Sequence, residues 1–357
     1  MYYKGEFMHL LVDHYKKYPK MQIEDFYKLI FQNEFAGGHL ISDENDSLDH
    51  LTNEFNRIKD QKSLGDVFEN IGNKLVRLYL SPLYSMKINI ATINRFFVIT
   101  ANSHYGSKEK FENKMMIFLE CCKNKILLFD DIKAAAFIHD QKNKGYTHIS
   151  HSKEYRESYQ PAYRVIQNEF KKYFEIFLKI DTLMEIKNNV IVAIDGPSSA
   201  GKSTLAALIG QVYDCNIFHM DNFFLTPHLR TKERLEKIGG NIDYDRFYKE
   251  VIKGVMNQKE FSYRIYDCSK LMFTEKVIVQ PKKINIIEGV YSMHPKYINS
   301  YDLKIFLDVD TETQNKRILK RNGQEMHKRF INEWIPMENR YFTQMQIKEK
   351  SDLIYET

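Results

Sequence analysis

Cysteine is scarce in this chain. Four occur in 357 residues, Cys121, Cys122, Cys215 and Cys268, two of them adjacent and none in a C-x-x-C pair. That excludes a disulfide framework and a zinc-ligand pattern, and it fits a reducing cytoplasm. Long apolar runs are missing too. No stretch approaches the roughly 18 consecutive apolar residues that span a bilayer, so no membrane role is expected. The first residues, Met1-Tyr-Tyr-Lys-Gly-Glu6, lack the apolar centre of a signal peptide. Charge of one sign is not in large excess, because 52 basic residues stand against 47 acidic ones, a net of +5 spread along the chain. This suits anionic small molecules as well as nucleic acid and does not choose between them; a nucleic-acid partner is not among those expected. No Gly/Ser/Pro-rich linker and no internal repeat interrupts the sequence. A hydrophobic share of 43% and a charged share of 28% exclude disorder for the chain as a whole.

What is present changes character near residue 188. Before it, apolar residues recur at helical spacing. Phe26, Ile30, Phe31 and Phe35 share one face, and Leu48, Leu51, Phe55 and Ile58 form another stripe. The segments 67–80, 88–100, 111–122 and 165–184 read the same way, so residues 1–187 are expected to form an all-α helical domain of six to eight helices. After residue 188, strands and helices alternate. Val190-Ile-Val-Ala-Ile194 is a fully apolar, β-branched run of the kind found in buried parallel strands. Residues 216–219, 284–287 and 303–308 are further strands, and 202–213, 244–256 and 311–320 are helices. This alternation predicts an α/β domain over 188–357, a parallel sheet with helices on both faces.

Between the first of these strands and its helix lies Gly196-Pro-Ser198-Ser199-Ala200-Gly201-Lys202-Ser203-Thr204, which matches G-x-x-x-x-G-K-[ST]. Glycines let backbone N–H groups close around phosphate oxygens, and the helix N-terminus adds partial positive charge. Lys202 can reach the β- and γ-phosphates of a bound nucleotide, and the Ser203 hydroxyl can ligate Mg²⁺. ATP and Mg²⁺ are therefore the expected cofactors. The Asn-Lys-x-Asp motif of GTP-binding switches and the Ser-Gly-Gly signature of transporter ATPases are both absent.

A small-molecule kinase also needs an acceptor-side carboxylate, a metal-side acid and cations over the transferring group. Asp221 follows the second strand, where it can orient a hydroxyl and take its proton, or simply cap a short helix. Glu288 ends the strand 284–287, as a water-mediated Mg²⁺ ligand or an ordinary strand-end acid. Arg317 and Arg321 share a helix face, as phosphate clamps or as part of a solvated basic surface.

These motifs, in this order, resemble the uridine kinase and phosphoribulokinase family of P-loop kinases. The resemblance spans residues 188–357 and implies an ATP- and Mg²⁺-dependent, uridine kinase-like phosphotransferase with an alcohol group as acceptor. His219-Met-Asp221-Asn-Phe-Phe resembles the segment carrying that family's catalytic base. Asn241-Ile-Asp243 is similar to the segment whose Asp holds sugar hydroxyls, and Tyr263-Arg-Ile-Tyr266-Asp267 to the one lining the acceptor pocket. Ile286-Ile-Glu288-Gly289 resembles the metal-side strand end. Arg317 and Arg321 stand where the family's lid arginines clamp phosphate. Two departures bear on the acceptor. Cys268-Ser-Lys-Leu-Met-Phe273 has no His where pyrimidine nucleoside kinases read the base, and the lid lacks their dense arginine run. Residues 330–342, which contain the chain's single Trp, offer a different acceptor wall. The expected substrate is a nucleoside or a related sugar-like alcohol.

The resemblance does not reach residues 1–187. There, Phe35-Ala-Gly-Gly-His-Leu40 reads as a helix C-cap and chain reversal. His148, His151, Tyr155, Arg156, Tyr159, Tyr163 and Arg164 cluster in sequence, either as an anion or nucleotide site or as an interface of amphipathic side chains. The unexplained half supports a rival expectation, a nucleotide-gated regulatory protein whose helical domain engages a partner. It also leaves a homo-oligomer open.

Overall fold

The computed structural model describes residues 2–37, 40–58 and 65–357, so Gly38 and His39 of the Phe35–Leu40 segment lie outside the described residues. Two compact units divide the chain, Met1–Leu178 and Lys179–Thr357. No helix among the described residues is long and apolar enough to cross a membrane.

The N-terminal unit is mainly helical, as expected. It contains α1 (Tyr2–Lys17), α2 (Ile23–Phe35), α3 (Glu44–Arg57), β1 (Phe68–Gly72), β2 (Leu75–Tyr79), α4 (Ile90–Ser103), α5 (Lys108–Lys123), α6 (Asp131–Asn143), α7 (Lys153–Tyr159), β3 (Tyr163–Gln167) and α8 (Asn168–Lys172). The division between units falls inside α9 (Phe174–Ile186). Phe26, Leu29, Ile30 and Phe31 of α2 are buried, with Phe26 stacked on Phe118 of α5.

The helical reading of 67–80 is corrected. These residues form an antiparallel hairpin, and β3 joins it in a three-stranded sheet of order β1-β2-β3. Asn73 and Lys74 both have positive φ, 52° and 59°, as a two-residue hairpin turn requires. β2 is buried along four of its five residues, so it lacks the polar alternation that marks a half-exposed strand. Residues 163–167 are likewise a strand, and the helical reading of 165–184 holds only from Asn168.

The C-terminal unit follows the predicted alternation. Its elements are β4 (Val190–Asp195), α10 (Lys202–Val212), β5 (Cys215–His219), α11 (Lys232–Leu235), α12 (Tyr244–Phe247), α13 (Lys253–Asn257), β6 (Phe261–Asp267), β7 (Met272–Val279), β8 (Ile284–Glu288), β9 (Leu303–Asp308), α14 (Thr311–Arg329), α15 (Ile335–Gln344) and β10 (Leu353–Glu356). Five strands form one parallel sheet, in the order β10-β9-β4-β8-β5. β6 and β7 make a separate antiparallel hairpin. In the sheet, Glu288 pairs with Ile194 on one side and His219 on the other. That register brings the ends of β4, β8 and β5 level, at the carboxyl edge where ligands bind in such sheets.

Candidate active site

The glycine-rich loop occupies this edge. Gly196 has φ +143° and donates its N–H to Asp195 Oδ1 at 2.8 Å. A Cβ at this position would lie 2.1 Å from the Leu307 carbonyl oxygen, so only glycine lets the loop leave β4 against β9. Gly201, with φ +95°, turns the chain into α10, and nothing lies within 4 Å of where its Cβ would be. The loop's outer carbonyls are held by side chains. Gln314 donates to Ser198 O at 3.0 Å, Arg317 to Ser199 O at 3.2 Å and Thr357 to Ala200 O at 2.9 Å. The Ala200 N–H donates to Pro197 O at 3.1 Å; a trans peptide turns the next N–H away from its carbonyl, so the N–H groups of Ser199 and Gly201 point away from the anchored Ser198 and Ala200 carbonyls. Lys202 is buried and donates from Nζ to the carbonyls of Gly196 and Pro197, each at 2.8 Å, which sets its charge across the loop. Ser199 Oγ is buried without a hydrogen-bond partner.

Ser203 Oγ donates to Glu288 Oε1 at 2.9 Å, and His219 Nδ1 lies 2.5 Å from the same oxygen. That hydrogen bond raises the His219 pKa above its ordinary value. Asp221 lies two residues further on, in the turn 220–223, exposed at the surface yet with protein packed closely around its carboxyl group. Desolvation by the surrounding protein raises its pKa, with Glu288 adding to the effect. The charges of Lys202, His219 and Arg321 oppose the rise. Lys202, Ser203, Asp221 and Glu288 are thus gathered at the ends of three adjacent strands.

The remaining sequence-predicted residues are placed differently. Arg317 and Arg321 are exposed on α14. Arg317 donates to the loop carbonyl of Ser199, while Arg321 Nε donates to Asn322 Oδ1 at 2.8 Å and acts on Asp221 through its charge. Asp243 caps α12 through the Arg246 N–H at 3.2 Å and faces the guanidinium groups of Arg234 and Arg246 at 3.7 and 3.9 Å. Its own N–H donates to Phe223 O at 2.7 Å, which ties it to the Asp221 turn. Tyr266, on β6, is buried with its hydroxyl unpartnered.

Three residues here have roles that the motif did not reveal. Asp195 ends β4 and accepts from Gly196 N, Met293 N and Tyr341 Oη, at 2.8, 2.9 and 2.8 Å. Burial pushes its pKa up to about 6. Arg246 donates to Asn222 O and Arg264 O at 2.6 and 2.8 Å and stacks on Phe223, joining the Asp221 turn to β6. Glu338, on α15, accepts from Ser198 N at 2.9 Å and from Ser198 Oγ. It is buried, and burial raises its pKa. Residues 330–342, expected as an acceptor wall, supply this carboxylate to the phosphate loop. The sequence pointed to that segment and not to Glu338.

The donor set fits a nucleotide with Mg²⁺. Among the described residues no group of three or more His, Cys, Asp or Glu side chains forms a metal cage. Mg²⁺ does not need one, since it is commonly held by one or two protein oxygens, water and substrate phosphates. Ser203 and Glu288 provide such oxygens beside the loop.

Residues 191–329 match the model of the phosphoribulokinase / uridine kinase family. A cytidylate kinase of Mycoplasmopsis pulmonis is 27% identical over 157 residues, which is 38% of this chain and 70% of that protein. Similar solved structures include one described as a possible uridine kinase from Bacillus stearothermophilus. It has 19% identity, covers 51% of this chain and 99% of that one, and has a TM-score of 0.39. Another is a D-glycerate 3-kinase from Cryptococcus neoformans, with 17% identity, coverage of 42% and 78%, and a TM-score of 0.32.

Proposed function

We propose that the P-loop kinase domain matched over residues 191–329, of the phosphoribulokinase / uridine kinase family, transfers a phosphoryl group from ATP to a hydroxyl of a small nucleoside-like or sugar-like metabolite. The observation that carries this reading is the grouping of Asp221 with Lys202, Ser203 and Glu288 at the carboxyl edge of the sheet. In the proposed reaction the acceptor oxygen bonds to the γ-phosphorus as the bond to the ADP oxygen breaks, and the hydroxyl proton passes to Asp221. Lys202 and the N–H groups of Ser199 and Gly201 hold the donor phosphates. Mg²⁺, when bound, would offset the charge of the donor phosphates, and Ser203 and Glu288 are the residues that would hold it. Arg321 adds positive charge at the mouth. Arg317 supports the loop from outside and reaches the transferring group only by leaving Ser199 O. Tyr266, with its unpartnered hydroxyl, and Asp243 shape the acceptor pocket.

A product assay tests this reading. Purified protein, ATP and Mg²⁺ are incubated with pooled nucleosides, sugars, sugar acids and nucleoside monophosphates, and products are read by mass spectrometry. A new phosphate monoester on a hydroxyl supports the proposal and names the acceptor. Phosphorylation of a nucleoside monophosphate on its phosphate would replace it with a nucleotide-kinase reading. Nucleotide binding with no product in any pool would favour a nucleotide-gated regulatory protein.

A further inference from the structure

The N-terminal unit contains a cavity of about 520 Å³ between α2, α3 and β3, a size ordinary for a metabolite site. Of the sequence cluster, His148, His151, Tyr163 and Arg164 line it, and Tyr155, Arg156 and Tyr159 do not. Its floor is a continuous hydrogen-bonded chain. Asp25 accepts from Gln22 N, Ser152 N and Ser152 Oγ at 2.9, 3.0 and 2.6 Å, and His151 Nδ1 lies 2.6 Å away. Burial alone would raise the Asp25 pKa, but the bonds from His151 and Ser152 bring it below the ordinary value. Burial pushes His151 down to about 4, so the ring is neutral at pH 7. The network assigns its proton to Nδ1, toward Asp25, which leaves Nε2 to accept from the Tyr163 hydroxyl at 2.6 Å. The Tyr163 hydroxyl also lies 3.3 Å from the Gln32 amide. Gln32 Oε1 in turn accepts two bonds from Arg77, at 2.8 and 3.1 Å, and Arg77 pairs with Glu69 at 3.1 Å.

One charge on this floor has no counter-ion. Lys28 lines the cavity and donates from Nζ to the Ile149 carbonyl at 2.7 Å. Among the described residues, no carboxylate lies within ion-pair distance of it. Burial and the Arg77 guanidinium push its pKa down to about 8, against the opposing charge of Asp25. Charges withdrawn from water are normally paired. The other cationic side chain on the wall, Arg164, is already bound to Glu54 at 2.7 Å. Beside Lys28 stand the neutral hydrogen-bonding groups of Tyr163 and Gln32, and Phe31 and Phe97 supply apolar surface. The wall also carries two further carboxylates, Asp43, which caps α3 through the N–H groups of Asn45 and Asp46, and Asp46, which lies 3.6 Å from His50. The complement of the Lys28 end of the cavity has one anionic group, a polar body and an apolar edge.

We propose that this cavity is a second ligand site, which binds a small organic anion with its carboxylate or phosphate on Lys28 and its polar body on Tyr163 and Gln32. The site is distinct from the phosphate loop and does not depend on the kinase reading.

The test reads Lys28 directly. The full chain is pulse-methylated with formaldehyde and cyanoborohydride at pH 8, in chloride, phosphate or acetate at equal ionic strength, and each lysine is quantified by peptide mass spectrometry. An anion that raises the Lys28 pKa by about one unit lowers its reactive neutral fraction from about one half to about one tenth. Methylation of Lys28 is therefore expected to slow roughly fivefold in phosphate or acetate, while exposed lysines such as Lys153 and Lys316 keep their rates. Stronger protection by phosphate identifies a phosphate monoester as the ligand class, and stronger protection by acetate a carboxylate. The protection persists in Lys202→Ala, which separates it from phosphate on the kinase loop. Equal Lys28 rates in all three salts, or no reaction of Lys28 in chloride, would overturn the proposal.

Discussion

Glu338 takes both donors of Ser198, the backbone N–H at 2.9 Å and the hydroxyl, so a carboxylate 140 residues along the chain holds the rim of the phosphate loop. Charge-assisted hydrogen bonds contribute about 1.5–3 kcal/mol each when a buried partner is lost. Glu338→Ala frees Ser198, and kcat/KM for ATP is expected to fall roughly 10- to 100-fold. Steady-state kinetics at varied ATP check this. A change within about twofold would show that the contact does not position the loop.

Asp221 acts as a base only when ionised. Its pKa lies above the ordinary carboxylate value, through desolvation and the neighbouring Glu288 charge. Activity should therefore fall, as pH drops, at a higher pH than an unperturbed carboxylate would give. The Arg321 charge pulls that pKa down, so Arg321→Ala should move the acid limb of the kcat/KM profile to higher pH. Both groups are exposed, and added salt should shrink the displacement. A limb in the same place with and without Arg321 would rule out this coupling.

His219 gives a pH dependence of the opposite kind. Its hydrogen bond to Glu288 raises its folded-state pKa above that of the unfolded chain. The stability it contributes is fully present below the unfolded value and is lost as pH rises through the folded one. The melting temperature of the wild type should decline as pH rises through that interval above the ordinary histidine value, and His219→Gln should decline less. Parallel melting curves for the two proteins would contradict the assignment.

In the N-terminal unit, Lys114 and Glu34 form a buried ion pair, with Glu34 also accepting from Ser107 N at 2.7 Å. Lys114→Met leaves the Glu34 charge buried without its partner, which costs on the order of 3–5 kcal/mol. Urea unfolding should show the loss, and Glu34→Gln/Lys114→Met should recover part of it. A single variant as stable as the wild type would exclude an energetic role for the pair.

How much of this was legible in the sequence depends on how local each signal is. Gly196–Thr204 was legible because strand, loop and helix are contiguous. Asp221 and Glu288 were legible because each directly follows an apolar strand, and the parallel register then brings them together. Glu338 was not, because its partner is remote and an acid on a helix carries no mark of burial. The β1–β2 hairpin was misread because β2 is buried on both faces, which removes the alternation that identifies a strand. The cluster around His151 was visible as residue types. Its organisation depends on Asp25 and Lys28, more than 120 residues earlier.

The central claim is that the residues at the carboxyl edge of the sheet transfer a phosphoryl group to a hydroxyl with Asp221 as base. The most direct measurement compares wild type and Asp221→Asn at saturating ATP and acceptor, with ATP binding measured in parallel. The account predicts unchanged ATP affinity within about threefold and turnover lowered by about 10²- to 10⁴-fold, the usual contribution of a general base. Turnover within about threefold of wild type, with the same product formed, would contradict it.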